Sequence, residues 1–163
     1  MSSWFTPVNY YIIDMEKVIC THPRARRDYI IEEKFEAGIV LKGSEVKSLR
    51  ANQASIKESF AMLRNEEVFL INSYVAPYDS ASIFNHDPRR ERKLLLNKRE
   101  IKRLIGKTQI RGFTLIPTKM YFKNSRAKVE IALAKGKKFH DKRDDIKKRE
   151  ADREMGRAMK RRN

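Results

Sequence analysis

Three histidines, a lone cysteine and 37 lysines and arginines are the side chains with chemistry to offer, and their spacing suits gripping a polyanion better than transforming a substrate. His22, His86 and His140 are scattered and lack metal-ligand spacing. No glycine-rich run resembles a phosphate cradle. His140 and Asp141 could form an acid–base pair, but neighbours on a charged terminal tail cannot hold a reacting geometry. Cys20, alone, excludes an intramolecular disulfide framework and a cysteine-rich metal site, and it fits a reducing cytoplasm. The expectation is a protein with no catalytic residues, metal or cofactor.

The cations point to the partner. A net charge of +16 opposes compaction and contributes nothing to the fold. Arg89–Lys107 carries nine Lys/Arg against two Glu, and the chain from Lys135 onward carries thirteen against six. Beside the first cluster, which includes Arg92 and Lys93, stand the planar groups Tyr78, Phe84 and His86, a combination that suits unpaired bases. RNA is therefore the expected partner. No apolar run approaches the ~20 residues of a membrane span. The first twenty residues lack the basic start of a signal peptide and carry Asp14 and Glu16. The basic segments also lack the bulky apolar residues of a membrane-surface binder.

The elements that must position these groups are mostly strands. Tyr29, Ile31, Phe35, Ala37, Ile39 and Leu41 fall on one side of a long strand, broken in period at Glu33, with Gly38 marking a bulge or bend. Ser44 is placed to cap a short helix, Glu45–Arg50, that turns Lys47 and Arg50 outward. Phe60–Leu63 and Val68–Val75 read as a hairpin turning at Asn65-Glu66. Asn97 and Glu100 make a capping box for a helix striped by Ile101, Leu104 and Ile105 and ended by Gly106. That role alone accounts for Asn97. Phe113–Lys123 and Arg126–Lys135 are strands joined at Asn124-Ser125, with Lys128 on the polar side of the second and Met120 and Tyr121 as packing.

Alternation stops at Lys135. Beyond Phe139 too few apolar residues remain to hold a helix against a core, so the tail is expected to be disordered when free and helical when docked. The fold class expected is mainly β (α+β): an RNA-binding body over 26–138, a basic tail over 139–163 and a disordered extension over 1–25.

Several stretches together, DYIIEEKFEAGIVLKGSEVKSLRA, ASIKESF, FNHDPRRERKLLLNKREI, YFKN and KVEIALAKGKKFHDKRDDIKKRE, resemble the small protein B family, the SsrA-binding proteins of bacterial trans-translation. The resemblance runs from Arg26 to the end. It implies a small antiparallel β-barrel of oligonucleotide-binding (OB) type with short flanking helices. It also implies an adaptor that binds the tRNA-like domain of transfer-messenger RNA and carries it to stalled ribosomes. There the tail occupies the empty messenger channel and decoding centre of the small ribosomal subunit. Elongation factor Tu on the aminoacylated RNA, a cytoplasmic location, a monomer and no membrane partner follow from the same likeness. By motif, Tyr29, Glu36, Leu95, Asn97 and Lys128 match RNA-binding positions. Lys135, Gly136, Lys137 and Lys138 of KGKK, with His140, Asp141, Lys142 and Arg143 of HDKR, match the segment read in the decoding region.

The chain departs from the family at residues 1–25, where a lysine-rich arm is usual and Met15 is a candidate initiator. Asn52-Gln53 replaces a usual Gly-Lys. Asn65-Glu66 and Asn124-Ser125 replace Asn-Gly turns, although a two-residue type I′ turn wants two left-handed positions. The rival reading is a general single-stranded RNA-binding module, or a ribosomal protein with a basic extension.

Overall fold

The computed structural model describes residues 16–79 and 85–160, with backbone alone at 139–142, 144, 145, 149, 158 and 160. Nine strands and four helices follow in the order β1 (Lys17–Thr21), α1 (Ala25–Asp28), β2 (Tyr29–Ile39), α2 (Gly43–Arg50), β3 (Ala54–Ser55), β4 (Phe60–Arg64), β5 (Glu67–Ile71), β6 (Tyr74–Val75), β7 (Arg92–Leu95), α3 (Lys98–Thr108), β8 (Phe113–Lys123), β9 (Arg126–Gly136) and α4 (Phe139–Lys160).

Antiparallel pairing runs β8–β4–β5–β7–β2–β9 and returns to β8, closing an irregular barrel. Two seams are thin: β4 meets β8 only at Ala61–Leu115, and β2 meets β7 at Gly38–Leu95 and Ile39–Leu94. The core inside is built from every second residue, such as Val68 and Leu70 of β5 and Val129, Ile131 and Leu133 of β9. Leu49 of α2 and Leu104 of α3 plug it, both fully buried. Truncating such a leucine to alanine costs about 2–5 kcal/mol.

The period break at Glu33 is a β-bulge between Ile31 and Glu33, and it reverses the face of the strand. Phe35, Ala37 and Ile39 point into the main core, whereas Tyr29 and Ile31 lie outside, on a small second core of Ala25, Ile116, Ala132 and Ala134 roofed by α1. The six apolar residues read as one stripe are thus two half-stripes. Both faces of β9 are covered at this end, which is why residues 131–134 are all buried.

Other expectations are also corrected. The disordered extension over 1–25 gives way to a strand at Lys17–Thr21, because β8 beyond Leu115 has an edge that β4 leaves open and β1 fills. Residues 1–15, and the Met15 initiator with them, lie outside the described residues. The N-cap of α2 is Lys42, whose backbone N–H donates to Glu45 Oε2 at 2.7 Å, while Ser44 turns elsewhere. α3 runs through Gly106 to Thr108, whose hydroxyl donates to the Leu104 carbonyl at 2.8 Å. Both hairpin turns do have two left-handed residues: Asn65 and Glu66 at φ 51° and 58°, Asn124 and Ser125 at φ 48° and 62°.

The tail forms α4, a 22-residue helix in the isolated chain, where the sequence predicted disorder until docking. Lysine, arginine, glutamate, alanine and methionine are good helix formers, so local propensity sustains it without a packed face. Every α4 side chain the structure describes is exposed, Ile146, Met155 and Met159 included. Among the described residues no helix is long and apolar enough to cross a membrane.

Candidate nucleic-acid interface

One cross-strand row organises the outer face. Leu95 of β7, Gly38 of β2, Lys128 of β9 and Tyr121 of β8 are successive register partners. Gly38 contributes no side chain, so a hollow opens in the middle of the row. A Cβ there would lie 3.3 Å from Leu95 Cβ, close enough that Leu95 would have to shift by a few tenths of an ångström. Leu95 stands 52% exposed at one end, an apolar surface beside the hollow. Ile39, Leu41, Val46, Arg126 and Lys128 line the same hollow.

Glu36 lies two residues before Gly38 on the same face. Its Oε2 accepts the Tyr121 hydroxyl at 2.6 Å and lies 3.6 Å from Lys123 Nζ, and its Oε1 lies 3.5 Å from Lys128 Nζ. The Tyr121 hydrogen bond, with the charges of Lys123 and Lys128, holds the Glu36 carboxyl below its ordinary 4.5 against the opposing effect of burial. Burial, then the bond to Glu36, pushes the Tyr121 hydroxyl well above its usual range, so it stays a donor. Lys119 caps the tyrosine ring, 4.3 Å from its centroid. The result is an oriented carboxylate acceptor between two ammonium donors, beside an apolar knob. Chemically that set can accept from a base edge, hold phosphates and pack against a sugar or base face.

Further along the face, Glu130 gathers Lys34 at 2.9 Å and the Thr118 hydroxyl at 2.5 Å. Burial acts to raise the Glu130 carboxyl, but these bonds and the charges of Lys34 and Lys119 hold it below 4.5.

The structure brings Leu95 and Lys128 to one hollow, with Glu36 beside it through Lys128, and Asn97 follows Leu95 two residues on. Asn97 is exposed and caps α3: its N–H donates to Glu100 Oε2 at 2.9 Å, and its carbonyl accepts from Ile101. Lys47 and Arg50 are exposed on α2, which borders the hollow through Val46, and Lys47 Nζ lies 5.0 Å over the Tyr78 ring. Lys93 is half-buried and ion-paired with Glu67. Tyr29 is at the opposite end of β2, register partner of Gly136 and in one shallow hollow with Arg26 and Lys137. Lys135 and Gly136 are the last residues of β9, so the KGKK run begins inside the barrel. The Lys137 N–H donates to the Asp28 carbonyl at 2.9 Å, tying the root of the tail to α1. Lys138 and Arg143 are exposed; the side chains of His140, Asp141 and Lys142 lie outside the described residues.

Arg92 is a correction: it cannot touch RNA from where it lies. It is fully buried, donating to Glu45 Oε1 at 2.9 Å, to the Ser73 carbonyl and hydroxyl at 2.8 Å, and to the Pro88 carbonyl. Arg90 closes on the same carboxylate, at 2.8 and 2.5 Å. Burial raises Glu45, yet the Arg90 hydrogen bond, the Lys42 N–H and the two guanidinium charges hold its carboxyl below 4.5. His86 is likewise no stacking platform. Only 4% exposed, it donates from Nε2 to the Val75 carbonyl at 3.1 Å, which leaves Nδ1 to accept the Ser44 hydroxyl at 2.8 Å. Phe84 lies outside the described residues. Burial pushes the Cys20 thiol up to about 11, so it remains a neutral packing group at physiological pH. Among the described residues no cluster of His, Cys, Asp and Glu could hold a metal.

Residue reasoning missed Tyr121 and Lys123. The signal was present in the hairpin: a two-residue turn at 124–125 pairs Lys123 with Arg126 and Tyr121 with Lys128, bringing the tyrosine to the same face as the lysine.

Fold and face together define a small basic β-barrel of the α+β class whose outer face is arranged for a polyanion. The SmpB protein family model matches residues 19–161. An SsrA-binding protein of Desulforudis audaxviator is 58% identical over 145 residues, 89% of this chain and 95% of that protein. One from Geobacter metallireducens is 53% identical over 147 residues, 90% and 96% of the two chains. A solved structure described as "tmRNA-SmpB: a journey to the center of the bacterial ribosome" superposes with a TM-score of 0.62 at 52% identity, covering 74% of this chain and 85% of its counterpart. The chain belongs to the SmpB family.

Proposed function

We propose that the protein is a non-enzymatic, cytoplasmic, monomeric RNA-binding adaptor of trans-translation. The body binds the tRNA-like domain of transfer-messenger RNA through Glu36, Leu95, Asn97, Tyr121, Lys123 and Lys128, with Lys47, Arg50 and Lys93 adding charge at the margins. Tyr29 belongs to a second, smaller contact at the root of the tail. α4, from His140, Asp141, Lys142 and Arg143 onward, enters the empty messenger channel past the decoding centre, with Lys135, Gly136, Lys137 and Lys138 fixing its departure from the barrel. Elongation factor Tu accompanies the aminoacylated RNA in that complex.

The observation carrying this reading is the oriented Glu36 carboxylate. A protein that binds RNA by charge alone has no use for an anion between two lysines on a +16 chain. A carboxylate there rejects phosphate and accepts N–H donors, which is the chemistry of selection. Its relatives are SsrA-binding proteins, which supports the same conclusion. The test is competition between the tRNA-like domain and ordinary tRNA at two salt concentrations. Selective binding that persists at the higher salt is expected, since direct recognition survives screening better than phosphate contacts do. Equal binding of both RNAs, vanishing with salt, would instead establish the general single-stranded RNA-binding module.

A further inference from the structure

A groove of about 520 Å³ lies between α3, β7 and the β4–β5 turn, and none of the sequence-predicted RNA contacts uses its far wall. Its floor is apolar, from Leu95, Leu96, Ile101 and Ile105. Lys98 and Lys102, one turn apart on α3, stand on its rim without an ion-pair partner among the described residues. Their neighbours on the helix differ: Arg103 and Lys107 reach Glu33 at 2.9 and 3.0 Å. The opposite wall carries Glu66, which also has no ion-pair or hydrogen-bond partner among the described residues. Glu66 holds a left-handed backbone at φ 58°, as the second position of its two-residue hairpin turn demands.

An apolar floor, two cations on one side and a carboxylate facing them match the parts of one nucleotide: a flat base, flanking phosphates and an N–H edge. Leu95 lines both this groove and the hollow at Gly38, so the two are neighbours on one face. Of the four RNA bases, guanine presents two adjacent N–H donors, N1–H and the 2-amino group, and so meets both oxygens of a carboxylate. We propose that this groove takes one unpaired guanine of the bound RNA, its pairing edge on Glu66, its ring on Leu95, Ile101 and Ile105, and its flanking phosphates on Lys98 and Lys102. The proposal rests on the adaptor reading above and adds a site of base discrimination to it.

The test replaces each unpaired guanine of the tRNA-like domain in turn by inosine, which lacks the 2-amino group, and measures binding to the full-length protein and to Glu66→Gln. One position is expected to cost the natural protein about tenfold in affinity, a loss the size of one good base contact. That same position should cost Glu66→Gln little, because the acceptor pair is already gone. Ile105→Trp, which fills the groove without altering charge, should lower affinity about tenfold with an unchanged salt slope. Lys98→Gln and Lys102→Gln should each reduce that slope by roughly 0.7–0.9. No sensitive inosine position, or equal sensitivity in Glu66→Gln, overturns the proposal while leaving the adaptor reading intact. Should Ile105→Trp fail to fold, the inosine comparison decides alone. If the natural protein does not prefer the tRNA-like domain over tRNA, the adaptor reading falls and the guanine site falls with it.

Discussion

Glu45 and Glu36 are each a carboxylate held between two cations, and their surroundings give them opposite work. Glu45 is fully buried and accepts from Arg90, Arg92 and the Lys42 N–H, while Arg92 itself is held by Ser73 and Pro88. Glu36 is 39% exposed between Lys123 and Lys128 and leaves lone pairs free for a guest. Breaking a buried pair strands a charge away from water, whereas an exposed pair is readily replaced by solvent. The motif of one acid and two bases therefore carries no role of its own, and burial assigns it. The buried set clamps β7 and the segment before it onto α2; the exposed set is available to RNA.

The sharpest way to break this contrast is Glu45→Gln. Chemical unfolding should show a loss of about 3–5 kcal/mol, since two guanidinium groups lose their countercharge, and the melting temperature should drop on the order of 10 °C. A loss below about 1 kcal/mol would place Glu45 in the same class as an exposed pair.

Acid comes next. Glu36, Glu45 and Glu130 all have carboxyls held below 4.5 in the folded chain, so below that value the unfolded chain binds more protons. Stability should be level above about pH 4.5 and fall as the pH drops through the folded values. Urea unfolding at about pH 7 and about pH 3.5 should reveal this loss, and the loss should shrink in Glu45→Gln more than in Glu36→Gln.

The exposed set should respond in the other direction. Glu36→Gln and Lys128→Ala are expected to weaken binding of the tRNA-like domain roughly tenfold, within the 1–3 kcal/mol of a specific polar contact. Both should shift stability by less than about 1 kcal/mol. Titration and unfolding on the same samples separate the two effects.

Smallest in stability is removal of the chain after Lys138. With no α4 side chain among those described packed against the barrel, the melting temperature should be almost unchanged. Binding of the tRNA-like domain should survive too, while tagging on stalled ribosomes is lost. A truncated protein that no longer binds this RNA would unite body and tail into one site and end the division between them.

Much of this was legible in the residues. β8, β9 and the Asn97 cap follow from alternation and from Asn/Glu spacing, whereas the bulge was expected at Gly38 and lies instead at the period break between Ile31 and Glu33. The burial of Arg92 did not. Its sequence neighbours are charged, and only the fold brings Glu45, 47 positions away, to meet it. Lys17–Thr21 was invisible for a related reason: a five-residue edge strand is fixed by the vacancy on β8 rather than by its own pattern. The helicity of the tail was not legible because no apolar face marks it, and this helix is sustained by propensity. At the site, the motif likeness supplied Glu36, Leu95 and Lys128, while Tyr121 needed the register of the hairpin.

The tie between Lys137 N–H and the Asp28 carbonyl matters most for reach. It fixes where α4 starts, and 22 helical residues at about 1.5 Å each carry the far end roughly 33 Å away. On such an arm, distance and bearing are coupled: one inserted residue advances the terminal cations by only ~1.5 Å but swings them by ~100° about the helix axis. The arm therefore works as a gauge with an angular setting, and a whole added turn would perturb it less in direction than a single alanine.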